Sequence, residues 1–275
     1  MLGYAQIATL VEEIAREAGA LVRERFGAPH RVRFKGVVDP LTEADETSER
    51  WIVRRLREAF PAHRLLAEET GGAPWNSPGP LWIIDPLDGT NNFAHNFPHI
   101  ALSIALVVDG RPVVGVIYDP LRDECFSAWR GGGAWFNGER MHVSRVGRLR
   151  DAFLATGFPY DRRTAADNNT RLLDHFLRRS QGVRRAGAAT LDLAYVACGR
   201  FDGYWEPRLK PWDVAAGILL VEEAGGKVSD YAGRPNPLSG ESVVASNAAI
   251  HEAMLYVIRY GEAAPHPDFD PEAAL

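Results

Sequence analysis

The stretch Trp82-Ile83-Ile84-Asp85-Pro86-Leu87-Asp88-Gly89-Thr90 places two carboxylates three residues apart at the end of an apolar run. The run has the character of a buried strand that delivers Asp85 to its carboxyl end. Pro86 stiffens a turn that brings Asp88 round beside Asp85 and exposes the carbonyl of Leu87. Carboxylate and carbonyl oxygens suit a hard cation such as Mg²⁺. Two carboxylates this close repel each other unless cations neutralise them. Gly89-Thr90, leading into a helix, offers backbone N–H groups to an anion beside those cations. Metals and N–H donors converging on one point suit a phosphoryl group.

Other chemistries meet the same residues. A plain surface turn fits, because Asp-Pro and Asp-Gly are common turn dipeptides. A calcium loop of the EF-hand type does not, because its twelfth position must be acidic and counting from Asp85 gives Asn96. An Asp-x-Asp-Gly-Thr motif built around a nucleophilic Asp has a one-residue spacer. Pro86 and Leu87 make two here, which argues against an aspartyl-phosphate intermediate.

The elements that would position these groups follow from periodicity. Ile7, Leu10, Val11, Ile14, Ala18, Leu21 and Val22 share one face of a helix from Tyr4 to Phe26, ended by Gly27 and Pro29. A second helix runs from Thr42 to Phe60, with acidic Glu43, Asp45 and Glu46 complementing its N-terminal dipole. Leu65-Leu66-Ala67 is a short strand entering Glu68-Glu69, and Gly71 to Pro80 is a loop. Ile100 to Val108 and Pro112 to Tyr118 flank Asp109-Gly110-Arg111 as an antiparallel hairpin. Glu124 to Trp129 and the Asn137-Gly138 turn extend that sheet, and Gly131-Gly132-Gly133 is a turn or bulge.

After Val146 strands and helices alternate. Strands are expected at Ala152–Thr156, Val183–Ala186, Phe201–Trp205, from Val228 and at Val243–Ala245. Helices are expected at Ala165–Arg179, Thr190–Cys198, Trp212–Ala224 and Ala248–Arg259. The pattern reads as α+β joined to α/β. It divides into residues 1–147, an α+β half, residues 148–262, an α/β half, and a loose tail, 263–275.

Composition bounds the function. The chain has 275 residues with 31 Lys+Arg against 36 Asp+Glu, a formal net charge of −5, so it has no electrostatic footprint for nucleic acid. Lys35, Lys210 and Lys227 are its only lysines. Cys125 and Cys198 lack metal-ligand spacing and read as buried free thiols of a reducing compartment. No apolar run reaches membrane-spanning length, and the N-terminus lacks the order of a secretory signal, so a cytoplasmic location is expected. Asn168-Asn169-Thr170 is then a chance match to a glycosylation triplet.

Trp82 to Phe93 strongly resembles the inositol monophosphatase family signature Asp-Pro-x-Asp-Gly-Thr-x-Asn-Phe, matched through Asn92-Phe93. The family's second signature, Trp-Asp-x-Ala-Ala-Gly, is matched by Trp212-Asp213-Val214-Ala215-Ala216-Gly217. Its Gly-Glu-Glu element is matched by Ala67-Glu68-Glu69, with Ala for Gly, and Thr42-Glu43-Ala44-Asp45 precedes these in family order. The resemblance covers about residues 4 to 260.

The resemblance implies a layered αβαβα sandwich of the sugar phosphatase type. It implies an Mg²⁺-dependent, Li⁺-sensitive hydrolase of small phosphomonoesters, with inositol 1-phosphate the nominal substrate. Fructose 1,6-bisphosphate, histidinol phosphate, nucleotide 3′-phosphates and NADP phosphate are alternatives. Glu68, Asp85 and the Leu87 carbonyl would hold a first Mg²⁺, and Asp85, Asp88 and Asp213 a second. A weaker third ion would sit near Glu68. Such ions would clamp the attacking and leaving oxygens of an in-line displacement. Thr90 and Asp45 match the pair that orients and helps deprotonate the attacking water, and Gly89 and Thr90 would donate N–H groups to the phosphate. A water on the metal would protonate the leaving alkoxide, so no histidine is required. His95 and His99 then read as ordinary loop or edge polar residues.

On the substrate side, Glu206 matches a carboxylate that accepts hydrogen bonds from sugar-alcohol hydroxyls, and Ala189 in Gly187-Ala188-Ala189-Thr190 matches a pocket contact. Asp88 and Asp213 would also touch substrate. Arg184 and Arg185 could face substrate or a partner subunit. Lys35-Gly36 falls where the family carries a mobile loop bringing a lysine toward the metals, with Asp39-Pro40 as the loop's exit. The family also implies a homodimer. Some bacterial members bind RNA polymerase, which makes a regulatory partner role the alternative from another class.

Overall fold

The structure is a computed structural model that describes residues 2–28, 33–34 and 40–261. Lys35, Gly36, Asp39 and the tail from Glu262 lie outside the described residues.

Helices α1 (Tyr4–Arg25) and α2 (Glu43–Ala59) flank a two-stranded antiparallel pair, β1 (Arg33–Phe34) and β2 (Pro40–Leu41). The chain then enters a large sheet through β3 (Arg64–Ala67), β4 (Gly71–Gly72) and β5 (Pro80–Asp88). After the short helix α3 (Thr90–Ala94) come β6 (Ala101–Val108), β7 (Arg111–Asp119), β8 (Glu124–Trp129), β9 (Gly133–Phe136) and β10 (Glu139–Met141). The order β10-β9-β8-β7-β6-β5-β3-β4 is antiparallel throughout except where β3 lies parallel to β5.

The second sheet alternates with helices: β11 (Phe153–Thr156), α4 (Thr170–Leu177), β12 (Gly182–Arg184), α5 (Ala189–Ala197), β13 (Gly203–Pro207), α6 (Pro211–Glu223), β14 (Lys227–Ser229), β15 (Ser242–Ser246) and α7 (His251–Tyr260). Its order is β12-β11-β13-β15-β14, parallel on the β11 side and antiparallel at β15.

Side-chain alternation along each strand sorts these elements into layers. Trp82 and Ile84 point to the layer of α1 and α2, where they meet Ile14 and Ile52. Leu81 and Ile83 point the other way, into one core with α5, α6 and the inner face of the second sheet, represented by Ala155, Tyr204 and Ala245. The outer face of that sheet, Leu154, Trp205 and Val244, packs on Phe176 of α4 and Met254 of α7. The result is the five-layer αβαβα sandwich. Helices α5 and α6 lie between two sheets and are buried along most of their length, with every residue of α5 buried. They approach closely at Gly217, where a Cβ would overlap the Leu193 side chain.

Several boundaries differ from expectation. The stretch from Gly71 to Pro80, expected as a loop, pairs Gly71–Gly72 with β3 as β4 and begins β5 at Pro80. The strand expected at Val183–Ala186 is Gly182–Arg184, and three further starts are displaced. The helix expected from Ala165 begins only at Thr170, because Asn169 adopts a left-handed φ of 71°. Its side chain is tied to Thr156, Gly157 and Trp205, which fixes that conformation. The strand expected from Phe201 begins at Gly203, since the N–H groups of Arg200 and Phe201 still bond to the carbonyl of Tyr195 and prolong the exit from α5. The last helix starts at His251, after a left-handed Ala248 at φ 68°.

Candidate active site

Strand β5 brings its two carboxylates together by a device other than the expected turn. On a regular strand, residues three apart point to opposite faces. Here Asp85 pairs with Ser103 but Asp88 pairs with Ala101, so β5 carries one extra residue, a β-bulge. The bulge restores parity and lets Asp85 and Asp88 face one space. Ser48 Oγ holds the bulge by donating to the Pro86 carbonyl at 2.8 Å, and the Leu87 N–H donates to Asp85 Oδ1 at 3.0 Å.

Asp213 joins them from the start of α6. Its Oδ2 accepts from the Lys210 N–H at 2.7 Å, capping the helix, with Pro211 as the first helical residue. Glu68 follows β3, which runs parallel to β5 and so ends at the same edge of the sheet as Asp85. Its own N–H bonds to the Ile84 carbonyl.

The four carboxylates interact strongly. Burial, then the charges of Glu68, Asp88 and Asp213, push Asp85 well above the usual carboxylate range. Burial, then Asp88 and Glu68, do the same to Asp213. Burial raises Asp88 to about 6, against hydrogen bonds from Thr190 that pull the other way. Among the described residues, no three acidic, histidine or cysteine side chains close on one point as a finished ion cage. The four thus form an electrostatic cluster wider than a single coordination shell. Its donors are all oxygens, the set preferred by Mg²⁺ or Ca²⁺, and the mutual repulsion is what a divalent cation would relieve.

Next to the cluster, Thr90 Oγ lies 3.0 Å from Asp45 Oδ1 and 3.0 Å from the Leu87 carbonyl, so the pair named from the sequence is in contact. Asp45 is buried as the third residue of α2, where its Oδ2 accepts from the N–H and hydroxyl of Thr42 at 2.8 and 2.5 Å. Burial raises its pKa despite those bonds. Gly89 precedes α3 in the left-handed region, at φ 88°, and a Cβ there would press on the His99 carbonyl at 2.9 Å. Glycine is therefore required where the chain leaves Asp88 and turns into α3.

Across the cluster, Ala189 opens α5 and is buried, and Glu206 lies on the inner face of β13. Glu206 is not a solvated strand end: it is 8% exposed, and burial pushes it up to about 8. The two arginines part company. Arg184 lies over the Phe153 ring at 4.5 Å, whereas the charge of Arg185 acts on Glu206 and Asp192. His99 corrects its reading as a loop-edge residue: it is buried, with Nε2 3.4 Å from Asp192 Oδ1. His95 is exposed.

Several residues at the site escaped sequence reasoning. Thr190 donates from both N–H and Oγ to Asp88 Oδ2, each at 2.7 Å, and so anchors a first-half carboxylate to α5. Asn92 Nδ2 reaches the carbonyls of His99 and Ala186 at 2.7 and 2.9 Å, pinning α3 to the segment before Gly187. Buried Glu49 accepts from the N–H groups of Glu69 and Thr70 at 2.8 and 2.9 Å, which fixes the turn carrying Glu68. The available signal for Glu49 was an acidic side chain one residue from Ser48 on a helix face otherwise expected to be apolar.

Comparison with known proteins bears on this arrangement. The sequence profile of the inositol monophosphatase family matches residues 4–260. An Escherichia coli K12 protein named Nus factor SuhB is 42% identical over 247 residues, covering 89% of this chain and 92% of its own. An inositol-1-monophosphatase of Synechocystis is 43% identical over 247 residues, covering 88% and 86%. The solved structure of an inositol monophosphatase from Anabaena superposes with a TM-score of 0.84 at 42% identity, covering 92% of this chain and 95% of that one.

Proposed function

Because the chain belongs to the inositol monophosphatase family, we propose that it is an Mg²⁺-dependent phosphatase of small phosphomonoesters, nominally converting inositol 1-phosphate to inositol and phosphate. The observation that carries this reading is the cluster of Glu68, Asp88 and Asp213, half-buried, around the buried Asp85, beside the hydrogen-bonded pair Thr90–Asp45. Glu68, Asp85, Asp88, Asp213 and the Leu87 carbonyl would hold two ions, with a third near Glu68. Bound there, Mg²⁺ would polarise the phosphoryl oxygens and make water acidic enough to attack near neutral pH.

The chain's own residues do the rest. The Thr90 hydroxyl donates to Asp45, which leaves its lone pairs to accept a hydrogen bond from the attacking water. Asp45 stands behind it as the proton's destination. Gly89 and Thr90 present N–H groups at the start of α3 to the phosphate. Glu206, Ala189 and the outer edges of Asp88 and Asp213 line the leaving-group side. Glu206 as an acceptor favours an alcohol that carries further hydroxyls. Fructose 1,6-bisphosphate, histidinol phosphate, nucleotide 3′-phosphates and NADP phosphate are the substrates to compare. Li⁺ inhibition, homodimer assembly and a cytoplasmic location belong to the same reading. No helix among the described residues is long and apolar enough to cross a membrane.

The test is phosphate release across that panel, with Mg²⁺ and with a chelator. Release from inositol 1-phosphate that needs Mg²⁺ is expected. Absence of release from every member in Mg²⁺ would overturn the reading. A second reading, a regulatory partner of RNA polymerase, is favoured by relatives named Nus factor. Co-migration of purified chain with RNA polymerase tests it separately.

Glu49→Gln probes the support of Glu68. Outer-shell partners of metal ligands are worth about 10–100-fold in metal affinity. The variant removes one of two bonds to the Glu69–Thr70 turn. The Mg²⁺ concentration for half-maximal activity is expected to rise by about tenfold, the lower end of that range. An unchanged Mg²⁺ titration would remove Glu49 from the site's support.

A further inference from the structure

Glu206 is held by a neighbour on its own strand. Tyr204 and Glu206 are two apart on β13, so both point into the layer of α5 and α6. The Tyr204 hydroxyl donates to Glu206 Oε2, and both residues are buried. The carboxylate also lies against Gly157, where a Cβ would overlap both its oxygens. Tyr204 is close enough to Asp88 and Asp192 to feel both charges. Nearby, the Tyr231 hydroxyl is buried without a hydrogen-bond partner among the described residues and feels the charge of Glu206, and among those residues Tyr204 alone makes a side-chain hydrogen bond to the carboxylate.

A glutamate has three side-chain torsions, and a head group left loose must be ordered each time a ligand binds. The bond to Oε2 and the backbone of Gly157 remove that freedom beforehand. They also direct which oxygen remains for a ligand. We propose that Tyr204 is a positioning residue that fixes Glu206 so that Oε1 accepts a hydroxyl of the leaving alcohol, and thereby makes the enzyme discriminate polyol phosphates from phosphates lacking such hydroxyls. This rests on the phosphatase reading above.

The experiment compares inositol 1-phosphate with 4-nitrophenyl phosphate, whose leaving group has no aliphatic hydroxyl, using holoenzyme at saturating Mg²⁺. Tyr204→Phe removes one oxygen and keeps the ring. The ratio of kcat/KM for inositol 1-phosphate to that for 4-nitrophenyl phosphate is expected to fall by about tenfold, the upper end for one hydrogen bond. The loss should appear in KM more than in kcat, since the contact is made in the ground state as well. Glu206→Gln should lower the same ratio, and the double variant should be no worse than the poorer single, because both act on one contact.

A parallel fall for the two substrates would mark Tyr204 as merely structural and overturn the proposal. So would an unchanged ratio, or losses that multiply in the double variant. Wild-type protein that cleaves only the nitrophenyl ester also overturns it, while leaving a metal phosphatase in place. Wild-type protein that cleaves neither ester overturns the proposal; the phosphatase reading falls as well only if no other phosphate of the panel is hydrolysed.

Discussion

Asp213→Asn is expected to lower Mg²⁺-dependent phosphate release by more than about a hundredfold, because even partners one shell removed from a metal are worth 10–100-fold. Asp213 approaches from α6, while Asp85 and Asp88 come from β5 and Glu68 from the end of β3. A second ion would therefore be held across the two halves of the chain, and removing Asp213 strips it of its only ligand from α6. The amide still accepts from the Lys210 N–H, so the helix cap survives. Far-ultraviolet circular dichroism should be unchanged while phosphate release from inositol 1-phosphate collapses. Activity within tenfold of wild type would sink the assignment of Asp213 as a ligand.

The second large effect couples metal, protons and stability. Asp88 is raised to about 6 and Glu206 to about 8, both chiefly by burial. Their unfolded values lie near the ordinary carboxylate range of about 4. The folded state then binds more protons than the unfolded state between about pH 4 and pH 8, so stability of the metal-free chain falls as pH rises through that window. Moving Asp88 from 3.8 to about 6 costs on the order of 3 kcal/mol at neutral pH. Divalent cations would replace the protons and reverse the loss. The gap in Tm between Mg²⁺-saturated and chelated protein should widen from about pH 6 to about pH 8. Asp88→Asn should be more heat-stable than wild type in chelator, and should gain less from Mg²⁺. A gap independent of pH, or a less stable Asp88→Asn in chelator, would contradict the linkage.

Much of this molecule was legible along the chain. Apolar periodicity placed α1 and α2 nearly residue for residue, and β8 at Glu124–Trp129 matches in full. Two misplaced helix starts share one cause. Asn169 and Ala248 take left-handed conformations, and that at Asn169 is fixed by hydrogen bonds to Thr156, Gly157 and Trp205. Helical pattern extends past such a residue, since pattern records side-chain type and not backbone dihedral. The burial of His99 has a different origin: its ring meets Asp192 and Tyr195 on α5, far along the chain.

Residue type and short-range spacing determined the oxygen donors at Asp85 and Asp88, the Gly89-Thr90 turn, and the alternating strands and periodic helices, all of which a single chain displays. Resemblance to the family, not spacing, added Glu68, Asp213, the Thr90–Asp45 pair and the five-layer arrangement. Tertiary structure decided how the groups meet. The bulge that turns Asp88 to the same face as Asp85 depends on pairing with β6. The bonds from Thr190 to Asp88, from Glu69 to Glu49 and from Ser48 to Pro86 join residues 20 to 102 positions apart. Hydrogen bonds are short and directional, so such contacts exist only once the sheets have stacked and buried the groups that make them.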